Sequence, residues 1–160
     1  MANSIKLKKV QDQLVVQVTG SIDEEVNLSS DTLKGANVLI FDFSEVSAIN
    51  SCGIREWIKW LTPHAKTPVI YRKCPKIIVD QINMVDGFLP SMGKVESFFV
   101  PYYSEETGEE KQVLFTHGKE YDDQNVNCPA DVKDSKNQPM EIDVIESKYF
   151  RFLQKKAKAA

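Results

Sequence analysis

The sequence predicts an α/β fold: a sheet with parallel central strands and helices packed on one face, followed by a small, mostly β C-terminal extension. Three observations carry this expectation. Strand-like and helix-like apolar patterns alternate through the first hundred residues. Residues 38–41, Val-Leu-Ile-Phe, are continuously apolar, as expected of a central strand covered on both faces. After Pro101 the composition shifts to acidic and turn-forming residues.

Taken in order, Ile5 and Leu7 alternate with Lys6 and Lys8, and Leu14, Val16 and Val18 alternate with Val15, Gln17 and Thr19, the two-residue period of half-buried strands. Gln11-Asp12-Gln13 is read as the turn between them. Between residues 21 and 35 the pattern weakens, and Ile22, Val26 and Leu33 are read as one side of a short helix or irregular segment. Ile54, Trp57, Ile58, Leu61 and Ala65 then fall on one helical face, with Asn50 or Ser51 as cap. Residues 68–71 form the next buried strand. Pro75 opens a helix carrying Ile78, Ile82 and Val85, and Gly87 closes it. Strand, helix, strand, helix implies parallel neighbours joined by right-handed crossovers. Phe98, Phe99 and Val100 are read as a last strand leading outward. This sets a domain over residues 1–100 and an extension over residues 101–160, in which residues 111–115 and 140–145 read as strands, Tyr149, Phe150 and Leu153 as part of a short helix, and the tail Lys155-Lys156-Ala157-Lys158 as a frayed end.

Bulk numbers narrow the partners. With 160 residues and 42% hydrophobic content, the chain can bury one substantial core. The formal net charge is −3, and residues 101–160 hold 12 acids against 9 bases, so no attraction to phosphate backbones or anionic lipid is expected. No stretch approaches the roughly 18 apolar residues of a membrane span. The start Met1-Ala2-Asn3-Ser4-Ile5-Lys6 has no apolar run behind its lysine, and the expectation is a cytoplasmic protein. Three widely spaced cysteines, Cys52, Cys74 and Cys128, suit reduced thiols.

Between the central strand and the first clear helix the sequence runs Asp42-Phe43-Ser44-Glu45-Val46-Ser47-Ala48-Ile49-Asn50-Ser51-Cys52-Gly53-Ile54. This resembles the signature loop of STAS domains, the family of bacterial anti-sigma-factor antagonists and of the cytoplasmic domains of sulfate transporters. Its usual pattern is Asp-Leu-Ser, one residue, Val, two residues, Ile-Asp-Ser, Ser or Thr, then Gly-Leu or Gly-Ile. Asp42, Ser44, Val46, Ile49, Ser51, Gly53 and Ile54 match in register, and the likeness in element order extends over about residues 4–100. The resemblance implies a STAS-like fold and a non-enzymatic signalling module that meets a protein partner, such as an anti-sigma-factor-like kinase or another regulator, through residues 44–60. Ser44, Ser51, Cys52, Gly53, Ile54 and Trp60 are the partner-binding candidates. In phosphorylated family members the residue before the glycine is the phosphoacceptor Ser or Thr. Here it is Cys52, with Ser51 adjacent, and Asn50 replaces the family's aspartate, which speaks against the usual phospho-switch.

Independently of the resemblance, a helix start offers backbone N–H groups to anions, and Gly53 allows a partner or phosphate close approach. Cys52 is read as a small, half-buried filler in preference to a reactive thiol. Trp57 belongs to the apolar face, while Trp60 lies off it as a contact residue.

The extension resembles a zinc ribbon that has lost its ligands. Ser104 and Thr107 occupy the first knuckle of Tyr103-Ser104-Glu105-Glu106-Thr107-Gly108, and Cys128-Pro129-Ala130-Asp131 resembles a second with one cysteine left. The equal alternative is a plain polar hairpin extension. Either way no metal and no cofactor is expected. His64 and His117 have no nucleophile nearby, and no phosphate loop or paired-carboxylate motif is present, so the reading is not an enzyme. Two alternatives stand beside the binding module: a nucleic-acid-associated ribbon protein, disfavoured by charge, and a self-associating structural subunit or homodimer.

Overall fold

The computed structural model describes residues 4–26, 28 and 32–153. The N-terminal residues 1–3, part of the weakly patterned segment and the lysine tail read as a frayed end lie outside the described residues.

Strands β1 (Ser4–Val10) and β2 (Gln13–Ile22) form an antiparallel hairpin, with Gln11 at φ 57° in its two-residue turn. Strand β3 (Val38–Ile49) runs parallel to β2, β4 (Val69–Arg72) parallel to β3, and β5 (Gly93–Val95) parallel to β4, giving the order β1-β2-β3-β4-β5. Helix α1 (Ser51–Leu61) connects β3 to β4, and α2 (Lys76–Met84) connects β4 to β5. Each crossover steps the same way across the sheet, so right-handedness places both helices on one face. The burial pattern agrees: Val16, Val18, Phe41, Phe43, Tyr71 and Val95 are buried, while Val15, Gln17, Asp42, Ile70 and Arg72 on the other face are only half-buried.

Phe41 anchors the core beneath α1. Its ring lies 5.0 Å from Trp57, 5.7 Å from Trp60 and 5.9 Å from Tyr71, all edge-on. Trp57 Nε1–H donates to the Tyr71 hydroxyl at 2.9 Å, which donates to the Phe88 carbonyl at 2.5 Å, so the core's polar atoms are satisfied. Burial pushes the Tyr71 phenol far above its ordinary pKa, keeping it a neutral donor.

The structure sharpens the sequence reading at the end of the first sheet and in the segment after β2. Phe98, Phe99 and Val100, read as a last strand leading outward, do lie in a strand, β6 (Ser97–Tyr103), while the first sheet ends on the three-residue β5. Strand β6 is the centre of a second, antiparallel sheet between β7 (Glu110–Thr116) and β8 (Glu141–Ile142). A division at residue 100 therefore cuts through a strand. Within residues 21–35, Ser21 and Ile22 end β2 and the rest of the described part is turn or irregular, the second of the two readings, with Leu33 buried.

The two sheets share their packing. The Cys74 N–H donates to Ser97 C=O and the Phe99 N–H to Cys74 C=O, stitching β6 to the end of β4. Phe98 centres a second aromatic cluster with Tyr121 at 5.1 Å, Phe152 at 5.3 Å and Phe115 at 5.6 Å. Of the expected strand over residues 140–145 only β8 is strand; the Asp143 N–H carries its pairing one step further, to Pro101 C=O, before α3 (Glu146–Tyr149) begins.

Candidate functional site at the start of the first helix

The motif from Asp42 to Ile54 is strand more than loop, since β3 continues to Ile49. It reaches that length by two register shifts against β2, between Gln17 and Thr19 and between Gly20 and Ser21. Such bulges bend a strand and leave an amide out of the ladder. At the first shift, Asp42 Oδ1 accepts the Ser44 backbone N–H at 2.9 Å, which accounts for an aspartate at this place.

Asn50 then turns the chain into α1. With φ −122° and ψ 177° it is extended, and its Oδ1 accepts the Gly53 N–H at 2.8 Å as an N-cap. Its Nδ2 donates to Glu24 Oε2 at 2.9 Å, and that hydrogen bond holds the Glu24 carboxyl below its ordinary pKa. An aspartate would cap equally well but has no N–H for Glu24. The amide of Asn50 is thus matched by a partner acid in the preceding turn.

Gly53 is buried, and a Cβ there would stand 2.0 Å from the Ile22 carbonyl oxygen and 2.8 Å from the Asp23 nitrogen. The close approach that glycine permits is therefore made by the end of β2 and not left open for a partner or phosphate.

The six candidates separate by exposure. Ser51 and Cys52 are exposed, Ser44 and Ile54 half-buried, and Gly53 and Trp60 buried. Trp60, at 4% exposure, packs on Phe41 and 5.3 Å from Trp57, so it is core and not a surface contact. It is one turn from Trp57 and next to Leu61, and the inward stripe is simply wider than the periodicity suggested. Cys52 is likewise no filler: the helix turns Gly53, Trp57, Trp60 and Leu61 inward and leaves Cys52, Arg55 and Lys59 together on the outer face. Arg55 and Lys59 went unnoticed in the sequence, though their i, i+3, i+7 spacing from Cys52 was the available signal. Ser47 and Ala48, exposed at the end of β3, extend the same surface.

In the second sheet, Ser104 and Thr107 do occupy one turn: the Gly108 N–H donates to Ser104 C=O at 2.8 Å and the Thr107 N–H to Ser104 Oγ at 3.3 Å. What faces them is Asp134, which accepts the Thr107 hydroxyl at 2.7 Å and the N–H groups of Lys136 and Gln138. These bonds, the Thr107 hydroxyl foremost, lower the Asp134 carboxyl to about 2. Cys128 instead donates to Glu146 at 3.3 Å, and burial first, then this acid, raises its thiol to about 12. Asp131 is exposed. The first turn is thus bonded to Asp134 and Cys128 to Glu146, and among the described residues no group of three or more His, Cys, Asp or Glu side chains is placed to hold a metal ion. His117 pairs with Asp123 at 3.0 Å on the surface, and His64 lies half-buried in the 3-10 turn after α1.

The class defined by these features is an α/β chain with a parallel-centred sheet, helices on one face and a small antiparallel sheet continuous with its core. No family model and no curated protein sequence matches the chain. Among solved structures, the anti-sigma factor antagonist SpoIIAA in its unphosphorylated form is similar at 18% identity, covering 43% of this chain and 72% of that one with a TM-score of 0.32.

Proposed function

We propose that this chain is a non-enzymatic, STAS-like protein-interaction module of bacterial regulation, which binds a protein partner through the surface at the start of α1. The observation that carries the reading is the pairing of an exposed surface with a rigid support. Ser51 and Cys52 stand in solvent, while the next residue is locked by the Asn50 cap and by contact with Ile22. Preorganised surfaces of this kind lose little entropy on binding. Support also comes from the sequence motif, whose residues take separable roles here: Asp42 at the bulge, the Asn50 position as cap, Gly53 as close contact.

In this reading Ser51, Cys52, Arg55 and the exposed end of β3 form the contact face, with Ser44 and Ile54 at its margin. The partner is an anti-sigma-factor-like kinase or a related regulator. Cys52 stands at the phosphoacceptor position and offers a thiol where a serine kinase requires a hydroxyl, so binding is not released by phosphate there. The three free cysteines fit a reducing compartment, the cytoplasm.

The test is a paired recovery from a lysate of the source cells, using the intact chain, Cys52→Arg and Lys119→Glu as a surface control. The expected result is a protein retained by the intact chain and the control and lost with Cys52→Arg, with circular dichroism unchanged. Equal recovery by all three would overturn the assignment of the face.

A further inference from the structure

A groove of about 500 Å³ separates α2 from the C-terminal segment, away from the start of α1. Its width is fixed by Asn83, whose Nδ2 donates to Tyr149 C=O at 2.9 Å and whose Oδ1 accepts the Phe152 N–H at 2.9 Å. One half-buried amide thus ties the two walls, so the groove exists before any ligand arrives.

Its surface is of mixed character. Met84 and Ile145, 71% and 62% exposed, are the two most exposed large apolar side chains among the described residues, and both line it. Of its cations, Lys76 is already paired with Asp80 at 2.8 Å, whereas exposed Lys148 and Arg151 have no ion pair among the described residues. The sign of this wall is not that of its surroundings. Among the described residues, exposed Lys148 and Arg151 stand in the groove's lining against one acid outside the Lys76–Asp80 pair, Asp143, whereas residues 101–145 hold eleven acids and four bases.

We propose that this groove is a second docking surface, and that it takes a short acidic segment of a partner protein, with apolar side chains resting on Met84 and Ile145 and carboxylates meeting Lys148 and Arg151. Apolar contact supplies affinity, and the cationic rim selects the sign of the ligand and accelerates encounter. The fixed spacing of the walls favours a short linear segment over a large folded surface.

A phage-displayed library of random short peptides selected against the full chain tests this. Enriched sequences should carry Asp or Glu beside Leu, Ile, Met or Phe. A synthetic copy of the leading peptide should bind roughly tenfold more weakly to Lys148→Glu/Arg151→Glu, and its binding should disappear with Met84→Ser/Ile145→Ser. Both double variants alter exposed side chains, and circular dichroism checks that the fold is kept. Cys52→Arg should leave peptide binding unchanged, which separates this surface from the one at α1. Neutral or basic consensus sequences, no enrichment, or a peptide indifferent to the groove variants would each overturn the proposal.

Discussion

A Cβ on residue 53 would lie 2.0 Å from the carbonyl oxygen of Ile22, so the start of α1 and the end of β2 meet at a distance only glycine allows. The obstacle is backbone, which cannot rotate away as a side chain could. Gly53→Ala is expected to cost about 3 kcal/mol through overpacking, read as a lowered midpoint in urea unfolding. A change below about 0.5 kcal/mol, the level of an ordinary surface substitution, would show that this contact is looser than described.

Asn50 serves two groups at once, the Gly53 N–H and the Glu24 carboxylate. Asn50→Ala removes the cap and should destabilise by about 1 kcal/mol. Asn50→Asp restores the cap but sets two carboxylates against each other, so it should be weaker than the parent near neutral pH and recover as Glu24 is protonated. The sign follows from Glu24, whose depressed pKa means that its contribution is present above its ordinary value and lost as pH falls. Parallel unfolding curves for Asn50→Asp and the parent across the acid range would refute the pairing.

Tyr71→Phe tests the centre of the core. The substitution strands the Trp57 indole N–H and the Phe88 carbonyl in a dry interior. A loss of about 2–3 kcal/mol is expected, by calorimetry, from the desolvation of the two orphaned groups.

The course of the first sheet was readable because its signals are local. Alternation in β1 and β2, the apolar run of β3 and the stripe of α1 each report one element packing on one neighbour. Less visible were features that depend on distant residues. Trp60 is buried by Phe41, a partner on another element, and Gly53 is required by Ile22, which lies thirty-one positions earlier. Strand β5 is three residues long and carries almost no periodicity, so nothing local in the sequence marks it. In the extension, the spacing of Ser104 and Thr107 marks a turn, as a ribbon knuckle or a plain hairpin would both have it. Their partner Asp134 carries no such mark, because a carboxylate that clasps a turn looks the same in sequence as one in solvent.

That clasp has a pH signature. Asp134 is depressed from the ordinary 3.8 to about 2, so its contribution is complete above pH 4 or so and is lost as pH falls toward 2. Asp134→Asn should be less stable than the parent at neutral pH, and the difference should close over that window. Acid titrations of both proteins followed by tyrosine fluorescence measure it. A difference independent of pH would mean that the carboxylate's charge plays no part.

The central claim, that a protein partner is met at the outer face of α1, is tested most directly by site-specific photo-cross-linking in the source cells. A photoreactive residue replaces Arg55 in one strain and Lys119 in another, both exposed positions. The account predicts one discrete, light-dependent adduct from position 55, identifiable by mass spectrometry, and none of that mass from position 119. The same pattern from both positions, or no adduct from position 55, would contradict it.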